Sequence, residues 1–409
     1  QPPDGNHLEE SGGDGGMIKR TLQELCLNIT DGKHGDCENE ENSGYYFISC
    51  KDIFDGQINY KNARQITKAD FEETHKRTML EVDDILLTNS GTIGRMAFVA
   101  DREATTKTTF QKSVAIIKPD KQKVLPRYLY YQLQNCVPQF INSSNGSAQK
   151  NLLLSTMRTF QIEIEENREK QEKITNTLSA YDDLIENNQR QIKLLEEAAQ
   201  RLYKEWFVDL CFPGHENTEI VDGVPEGWNE KTLSQVANVI MGQSPKSEFY
   251  NSEKKGLPFH QGVGSYGVRF VMDDIYSTSY TRIAEPNSIL FSVRAPVGRL
   301  NITKNKVVIG RGLAAINQTD GCQSYLYYLL KNKFFKDNIV GNGSIFASVS
   351  KDELLNQKFL IPERNLMMQF EKIVSQMDKQ IENLDSKNKK LIEARDRLLP
   401  KLMSGEVEV

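Results

Sequence analysis

The chain has 409 residues, of which 38% are hydrophobic and 26% are charged. This composition is typical of a globular protein with two or three domains. The sequence has neither a signal-peptide pattern nor the roughly 18 consecutive apolar residues of a membrane helix, so we expect no membrane association. Six cysteines are scattered without CxxC spacing. That distribution favours reduced thiols and a cytoplasmic protein over a disulfide framework or a zinc site.

The net charge of −5 is unevenly distributed along the chain. Residues 17–164 carry 19 Lys and Arg against 18 Asp and Glu, whereas residues 228–362 carry 16 against 10. The second globular stretch is therefore basic enough for a modest positive patch, although a high-affinity nonspecific DNA binder is not implied.

Residues 1–16 contain four acidic residues, no basic residue and no apolar periodicity. We expect a disordered tail there, either an expression remnant or a mobile leader. The following stretch, residues 17–164, has the pattern of an α+β domain. Residues 45–58 mix aromatic and β-branched residues and predict short strands, and residues 84–99 predict a hairpin around a glycine-rich loop. Residues 128–133, YLYYQL, predict an amphipathic helix.

A long helix is predicted over residues 165–209, because its apolar residues alternate steps of four and three, the spacing of a coiled-coil seam. A linker at residues 210–227, rich in Pro, Gly and acid, follows it. The seam residues are Ile174, Leu178, Tyr181, Ile185, Asn188, Ile192, Leu195, Ala199, Leu202 and Trp206.

The second half of the chain repeats segments of the first in the same order, which indicates an internal repeat. The matched pairs are ILLTNSGTIGRMAFV at 85–99 with ILFSVRAPVGRLNIT at 289–303, YLYYQL at 128–133 with YLYYLL at 325–330, NGS at 145–147 with NGS at 342–344, and LLEEA at 194–198 with LIEAR at 391–395.

The repeat predicts a second globular domain over residues 228–362, a second long helix over residues 363–404 and a C-terminal tail at residues 405–409. The second seam consists of Phe370, Val374, Met377, Ile381, Leu384, Asn388, Leu391, Arg395, Leu398 and Leu402. The predicted fold is α+β, with two repeated strand-based domains that also contain small helices, joined by two long coiled-coil helices.

The two seams carry an asparagine near the middle in different registers. Asn188 falls at a d position and Asn388 at an a position of the heptad. Facing a with d is the layer pairing of an antiparallel coil, so we expect antiparallel helices with the two asparagines close together.

Motifs of catalysis are missing from the sequence. Residues 262–267 match the dinucleotide fingerprint GxGxxG, but neither the required strand before it nor a helix after it is predicted, so a turn-rich loop is favoured. There is no phosphate loop, and the five histidines are dispersed without metal-ligand spacing. Any chemistry is expected to come from partners.

The arrangement resembles the specificity subunit of type I restriction-modification systems, and the resemblance covers residues 17–409. The features that carry it are the module start Pro225-Glu226-Gly227-Trp228, the turns Gly94-Arg95 and Gly298-Arg299, the two Asn-Gly-Ser loops ahead of the helices, and the phrase LYKEWF at 202–207.

The resemblance implies two target recognition domains, each reading one half of a bipartite site in double-stranded DNA. The helices would space the half-sites and dock modification subunits, which methylate adenine with S-adenosylmethionine. Restriction subunits would add ATP- and Mg-dependent translocation and cleavage. The chain itself would be non-catalytic and would bind no cofactor.

In the major groove, guanine is recognised by Arg or Lys, and adenine is recognised by Asn or Gln. Phosphates accept hydrogen bonds from Lys, Ser and backbone N–H groups. Loops that combine these residue types give the candidate DNA-binding residues. In the first half they are Asn89, Ser90, Arg95, Lys107, Gln111, Lys112, Ser147 and Lys150. In the second half they are Gln243, Lys246, His260, Gln261, Tyr266, Arg269, Arg294, Arg299, Arg311 and Ser344.

Arg95 and Arg299 recur at matched positions although the two domains should read different bases. We therefore favour a structural role, or a contact with DNA phosphates, for these two arginines. A contact with DNA bases remains the alternative. Arg294 and Lys246 have no basic counterpart in the first half and are better candidates for specificity.

Three other functions remain as alternatives. A specificity factor of a solitary DNA methylase would differ from a type I specificity subunit only in its neighbouring genes. A coiled-coil scaffolding protein would account for the helices but not for loops that diverge around a fixed scaffold. An enzyme with an unrecognised site is least favoured, because the motifs are missing.

Overall fold

The computed structural model describes residues 16–144, 151–334 and 348–409. The predicted tail before residue 16 and both Asn-Gly-Ser loops lie outside the described residues. The chain divides into two compact units. Unit 1 comprises the described residues of 1–187 and 388–409, and unit 2 comprises those of 188–387.

The globular part of unit 1 contains strands and short helices. Its elements are β1 Met17–Thr21, β2 Cys26–Asp31, β3 Tyr46–Ile48, β4 Ile53–Phe54, β5 Gln57–Ile58, β6 Arg64–Gln65, α1 Lys68–Thr78, β7 Ile85–Thr88, β8 Met96–Phe98, β9 Thr108–Phe110, β10 Val114–Pro119, α2 Pro126–Asn135, α3 Val137–Asn142, α4 Leu154–Thr159 and β11 Gln161–Glu165. The long helix α5, Arg168–Phe207, begins in unit 1 and ends in unit 2.

Unit 2 follows the same plan after a small linker hairpin. The hairpin consists of β12 Ile220–Val221 and β13 Val224–Pro225. The remaining elements are β14 Asn229–Thr232, α6 Leu233–Val236, β15 Ala237–Met241, β16 Tyr250–Asn251, β17 Leu257–His260, β18 Tyr276–Ser277, β19 Ile283–Ala284, β20 Ile289–Ser292, β21 Leu300–Ile302, β22 Val307–Ile309, β23 Leu313–Gln318, α7 Gln323–Phe334, α8 Lys351–Leu355, β24 Lys358–Ile361 and the second long helix, α9 Arg364–Met403.

Sheet topology reproduces the internal repeat. Unit 1 has a four-stranded sheet in the order β2-β10-β7-β8, and unit 2 has one in the order β15-β23-β20-β21. Beside it, β3 pairs in parallel with β9, as β17 does with β22. The first strand of each domain also pairs with its last strand, β1 with β11 and β14 with β24. The two domains therefore share one strand-based scaffold with small helices.

The repeated tyrosine-rich segments form α2 and α7 and pack each domain against the long helices. Tyr128 and Tyr131 of α2 are buried, and the Tyr131 hydroxyl donates to Asp182 of α5 at 2.6 Å. In unit 2, Tyr325 and Tyr328 are buried in one apolar cluster that also contains Tyr203, Trp206 and Phe370 from the two long helices. The segment is repeated because each domain needs the same apolar contact with the helices.

Contacts within each unit show that α5 and α9 run antiparallel, as the sequence predicts. In unit 1, Asn388 donates to the Ile185 carbonyl at 3.4 Å, and Arg395, further along α9, binds Asp182, which lies earlier in α5. In unit 2, the Phe370 ring lies 6.0 Å from the Trp206 ring. Every seam residue of both helices is buried or half-buried.

The end of α9 completes the core of unit 1. Leu402 and Met403 are buried in the same apolar cluster as Ile174 and Leu178 of α5 and Leu133 of α2. Residues that are distant in sequence therefore complete one hydrophobic core, because the antiparallel return of α9 brings them beside the first half of α5.

Candidate nucleic-acid interface

The hairpin loops 88–95 and 292–299 have the same internal hydrogen bonds. The Gly94 N–H donates to the Thr88 carbonyl and the Arg95 N–H to the Thr88 hydroxyl, at 3.0 and 2.9 Å. In unit 2, Gly298 and Arg299 make the same two bonds to Ser292, at 3.0 and 2.8 Å. A hydroxyl residue therefore closes each loop at its base, which explains why Thr88 and Ser292 are chemically similar.

Gly94 and Gly298 are required at the ends of these loops. Their φ angles are +93° and +86°, in the left-handed region that side chains disfavour. A Cβ on Gly94 would also lie 2.5 Å from Val137 Cγ1, and one on Gly298 would lie 3.1 Å from Phe334 Cβ. The paired Gly-Arg turns are thus backbone constraints of the scaffold.

Three loops flank the hairpin loop of each unit, and together with the first part of the hairpin loop they form what we call the loop face. The first loop face consists of residues 32–35, 48–50, 89–92 and 111–113, and the second consists of residues 242–246, 260–262, 293–296 and 310–312. In unit 2, three backbone hydrogen bonds of 2.8–3.0 Å connect these segments. The N–H groups of Gln243, Gly310 and Val293 donate to the carbonyls of Ile309, His260 and Gly312, respectively.

The first loop face has the same connections. The Lys33 N–H donates to the Phe110 carbonyl, Gln111 to Ile48 and Asn89 to Ser113, at 2.8–3.1 Å. These bonds match those of the second loop face one for one. Matched hydrogen bonds fix which residues of the two faces occupy equivalent positions: Ser90 corresponds to Arg294, Lys112 to Arg311, Ser49 to Gln261 and Lys33 to Gln243.

The second loop face exposes five of the predicted residues, which come from separate parts of the sequence. The Ser244 hydroxyl donates to Gln261 Oε1 at 2.8 Å and accepts from the Arg311 N–H at 3.2 Å. The exposed candidates on this face are Gln243, Lys246, Gln261, Arg294 and Arg311. Arg299, half-buried, closes the neighbouring hairpin loop.

The first loop face brings together fewer candidates. Lys112 is exposed, and Ser90 and Gln111 are half-buried on this face. Arg95 is exposed at the end of the hairpin loop. Lys107 is also exposed but lies in the turn before β9, where it pairs with Glu103 at 3.7 Å. Ser147 and Lys150, like Ser344 of the second half, lie outside the described residues.

Arg269 is buried, which contradicts its assignment to a DNA-contacting surface. Its guanidinium is 2% exposed and pairs with Glu196 of α5 and Asp378 of α9. It lies over the Tyr327 ring, 4.4 Å from the centroid, and donates to the Tyr328 hydroxyl at 3.2 Å. Arg269 therefore attaches the globular part of unit 2 to the long helices.

Three more candidates are turned inward. His260 is 1% exposed and pairs with Asp273, and Asn89 is 4% exposed. The Tyr266 hydroxyl donates to the Leu290 carbonyl at 3.0 Å, and burial raises the pKa of this hydroxyl. We remove Asn89, His260, Tyr266 and Arg269 from the candidate set, because their side chains are packed within the domains.

Two basic residues near the loop faces were missing from the candidate set. Arg282 is exposed, and its carbonyl accepts from the Ile309 N–H at 2.9 Å, beside Gln243. Lys33 lies on the first loop face but pairs with Asp70 and Glu73, each at 3.1 Å. No sequence motif marks either residue, because β22 and α1 approach these loops only in the folded chain.

The structure gives residues 262–267 the form of a turn. Val263–Ser265 is a single 3-10 turn, and Tyr266 bridges to Val271. The dinucleotide motif is thus a loop, as predicted. Within the described ranges, no group of three His, Cys, Asp or Glu side chains has a geometry for a metal ion. No helix among those residues has the length and apolar character for crossing a membrane.

Comparison with known proteins identifies the family. The model of the type I restriction modification DNA specificity domain matches residues 18–197 and again residues 225–394. The chain belongs to this family. The two matches reproduce the repeat described above, and each includes one loop face. The chain is thus a specificity subunit with two DNA specificity domains.

Individual relatives agree with this assignment. The chain is 27% identical to the putative type I restriction enzyme MjaX specificity subunit of Methanocaldococcus jannaschii, over 95% of this chain and 93% of the relative. It is 28% identical to the MjaIX specificity subunit of the same organism, over 89% and 87%. A crystal structure of the type I S subunit of M. genitalium covers 96% of this chain and 97% of its own, with a TM-score of 0.56 and 18% identity, so it shares the fold.

Proposed function

We propose that the two domains read the two halves of a bipartite DNA site, each through its loop face. The observation that carries this proposal is that the two loop faces share a hydrogen-bonded scaffold but differ in the side chains they expose. A shared scaffold with different exposed residues suits two readers of different sequences, because base edges are distinguished by the donors and acceptors presented to them.

We further propose that α5 and α9 set the spacing between the half-sites. Each helix has 40 residues and is therefore about 60 Å long. A rigid element of fixed length between two readers restricts the DNA spacing that both occupy together. The buried seam and the ion pair of Arg395 with Asp182 stabilise this helix pair.

The partners in this proposal are modification subunits, which would dock on the long helices, and restriction subunits. S-adenosylmethionine, ATP and Mg would be bound by those partners in the cytoplasm, and this chain would contribute recognition without catalysis. Purified without partners, the chain is expected to show no methyl transfer, ATP hydrolysis or DNA cleavage. Robust methylation by the isolated chain would contradict this part of the proposal.

Methylome sequencing tests the proposal in cells that express the chain together with its modification subunit. The expected result is methylated adenine within one bipartite motif with a fixed gap between two specific halves. A continuous motif without a gap, or methylation that does not depend on this chain, would overturn it.

A further inference from the structure

The second loop face carries two arginines, and the first loop face carries none. Residues 242–246, 260–262, 293–296 and 310–312 include Lys246, Arg294 and Arg311 and contain no Asp or Glu. Arg294 and Arg311 are exposed, and among the described residues neither forms an ion pair within 4.0 Å. Lys246 is exposed beside Glu248 at 3.9 Å, so the two arginines are the stronger candidates for a ligand.

The two arginines lie on adjoining loops whose backbones are fixed. The Val293 N–H, directly before Arg294, donates to the carbonyl of Gly312, directly after Arg311, at 2.9 Å. The Arg311 N–H is held by the Ser244 hydroxyl, and the Val293 carbonyl accepts from the Val349 N–H at 2.8 Å. A side chain on a fixed backbone loses less conformational freedom when it binds, which favours binding.

The matched positions of the first loop face carry a neutral serine and a lysine in place of the two arginines. Ser90 corresponds to Arg294, since Asn89 and Val293 make the same backbone bonds to the neighbouring loop. Lys112 corresponds to Arg311 but lacks the planar, bidentate donor pair of a guanidinium. Lys33, the other lysine on this face, is neutralised by Asp70 and Glu73.

We propose, on the basis of the function proposed above, that Arg294 and Arg311 read guanines in the half-site of the second domain. A guanidinium donates two parallel hydrogen bonds to O6 and N7 of guanine in the major groove. The half-site of the second domain therefore contains at least one guanine recognised by these residues. The first domain, with Ser90 and Lys112 at the matched positions, reads its half-site without an arginine pair.

Binding of the full chain, assembled with its modification subunits, to duplexes that contain the methylated motif tests this inference. Replacing a recognised guanine by 7-deazaguanine removes the N7 acceptor without changing the protein. We expect this replacement to weaken wild-type binding in one half-site by roughly 10-fold. Arg294→Gln and Arg311→Gln should each weaken specific binding by roughly 10- to 100-fold and should lose sensitivity to the modified base at one position.

Lys231→Ala is the matched control. Lys231 is an exposed basic residue of the same unit, but it lies on β14, outside the loop face. It should keep the wild-type preference at every position. If both arginine variants keep the wild-type affinity and base preference, the arginines do not contact the DNA. If both lose affinity evenly for all sequences and show a smaller salt dependence, the arginines contact phosphates. Either result would show that the inference is wrong. The proposed function itself would fail differently, since the wild-type complex would then have no specific bipartite target.

Discussion

At the scale of single residues, Gly94 and Gly298 hold the hairpin loops in a conformation that other residues resist. Both have positive φ, so Gly94→Ala and Gly298→Ala should each lower the free energy of unfolding by about 1–2 kcal/mol. The loss should be larger for Gly94→Ala, because its Cβ would lie 2.5 Å from Val137. Chemical denaturation measures both values. Gly223→Ala, at φ +79° with no atom within 4 Å of the new Cβ, isolates the backbone contribution, and an equal loss in all three variants would refute the steric argument.

Arg269 is the most buried arginine or lysine among the candidates that the structure describes, and its removal should be costly. Arg269→Met leaves Asp378 and Glu196 without their partner, and we expect a loss of about 3–5 kcal/mol. Thermal and chemical denaturation measure the loss. Arg282→Met removes an exposed arginine of the same unit and should change stability by less than about 0.5 kcal/mol. A similar small loss for both variants would mean that the buried ion pairs contribute little.

The loss in Arg269→Met should also depend on pH. Burial raises the pKa of Asp378, although Arg269 opposes this shift. A carboxyl group with a raised pKa favours the folded state at low pH and loses that contribution as the pH rises through the folded pKa. Without Arg269 the pKa of Asp378 rises further, so the variant should lose less stability at about pH 5 than at about pH 8. A loss that grows on acidification would contradict this.

The burial of Arg269 also shows what could not be predicted from sequence at this scale. Arg269 follows a glycine-rich loop and has the residue type of a DNA contact, but its partners Glu196, Tyr328 and Asp378 lie 59 to 109 positions away. Arg294 and Arg311 were predicted as candidates and are exposed, but their placement on adjoining loops depends on the antiparallel pairing of β20 with β23. Such nonlocal contacts leave no periodic pattern.

At the scale of elements, the long helices were predictable because their seams keep one heptad spacing from Ile174 to Trp206 and from Phe370 to Leu402. The small strands were not, since β4, β5 and β6 have two residues each, too few to show a period. The asparagines of the seams were predicted as register markers. Both are buried, and Asn388 bonds to the Ile185 carbonyl within unit 1. The closeness of Asn188 to Asn388 stays a prediction.

Replacing both asparagines tests their role in register. Asn188→Ile with Asn388→Ile should raise the melting temperature by a few degrees, because a buried polar group costs stability in a coiled coil. The preferred gap between half-sites should become less strict, since one barrier to slippage is lost. Calorimetry and methylome sequencing measure the two effects. A lower melting temperature together with an unchanged gap would count against the register role.

At the scale of the whole molecule, the C-terminal end of α9 belongs to the core of unit 1. Leu402→Ala should therefore cost about 2–5 kcal/mol and speed hydrogen exchange in β1, β7 and α2. Exchange in the matched strands β14 and β20 should change less. Ile392→Ala, on an exposed face of the same helix, is the control and should leave both units unaffected. If Leu402→Ala instead speeds hydrogen exchange only in unit 2, the assignment of Leu402 to the core of unit 1 is wrong.

The division into two repeated domains and two helices was visible in the sequence, because four segments recur in the same order. The antiparallel return of α9 was also predicted, but the packing of Leu402 and Met403 into the core of unit 1 was not, because these contacts join residues that are far apart in the sequence. We propose that the length of the helix pair, rather than any one residue, defines the spacing between the two DNA half-sites.

Deletion of one matched heptad from each of α5 and α9 tests this central claim most directly. Seven residues shorten a helix by about 10 Å, close to the length of three base pairs. Methylome sequencing of the variant, expressed with its modification subunit, should show both original half-sites with the gap shortened by about three base pairs. An unchanged gap, or altered half-site sequences, would contradict the account.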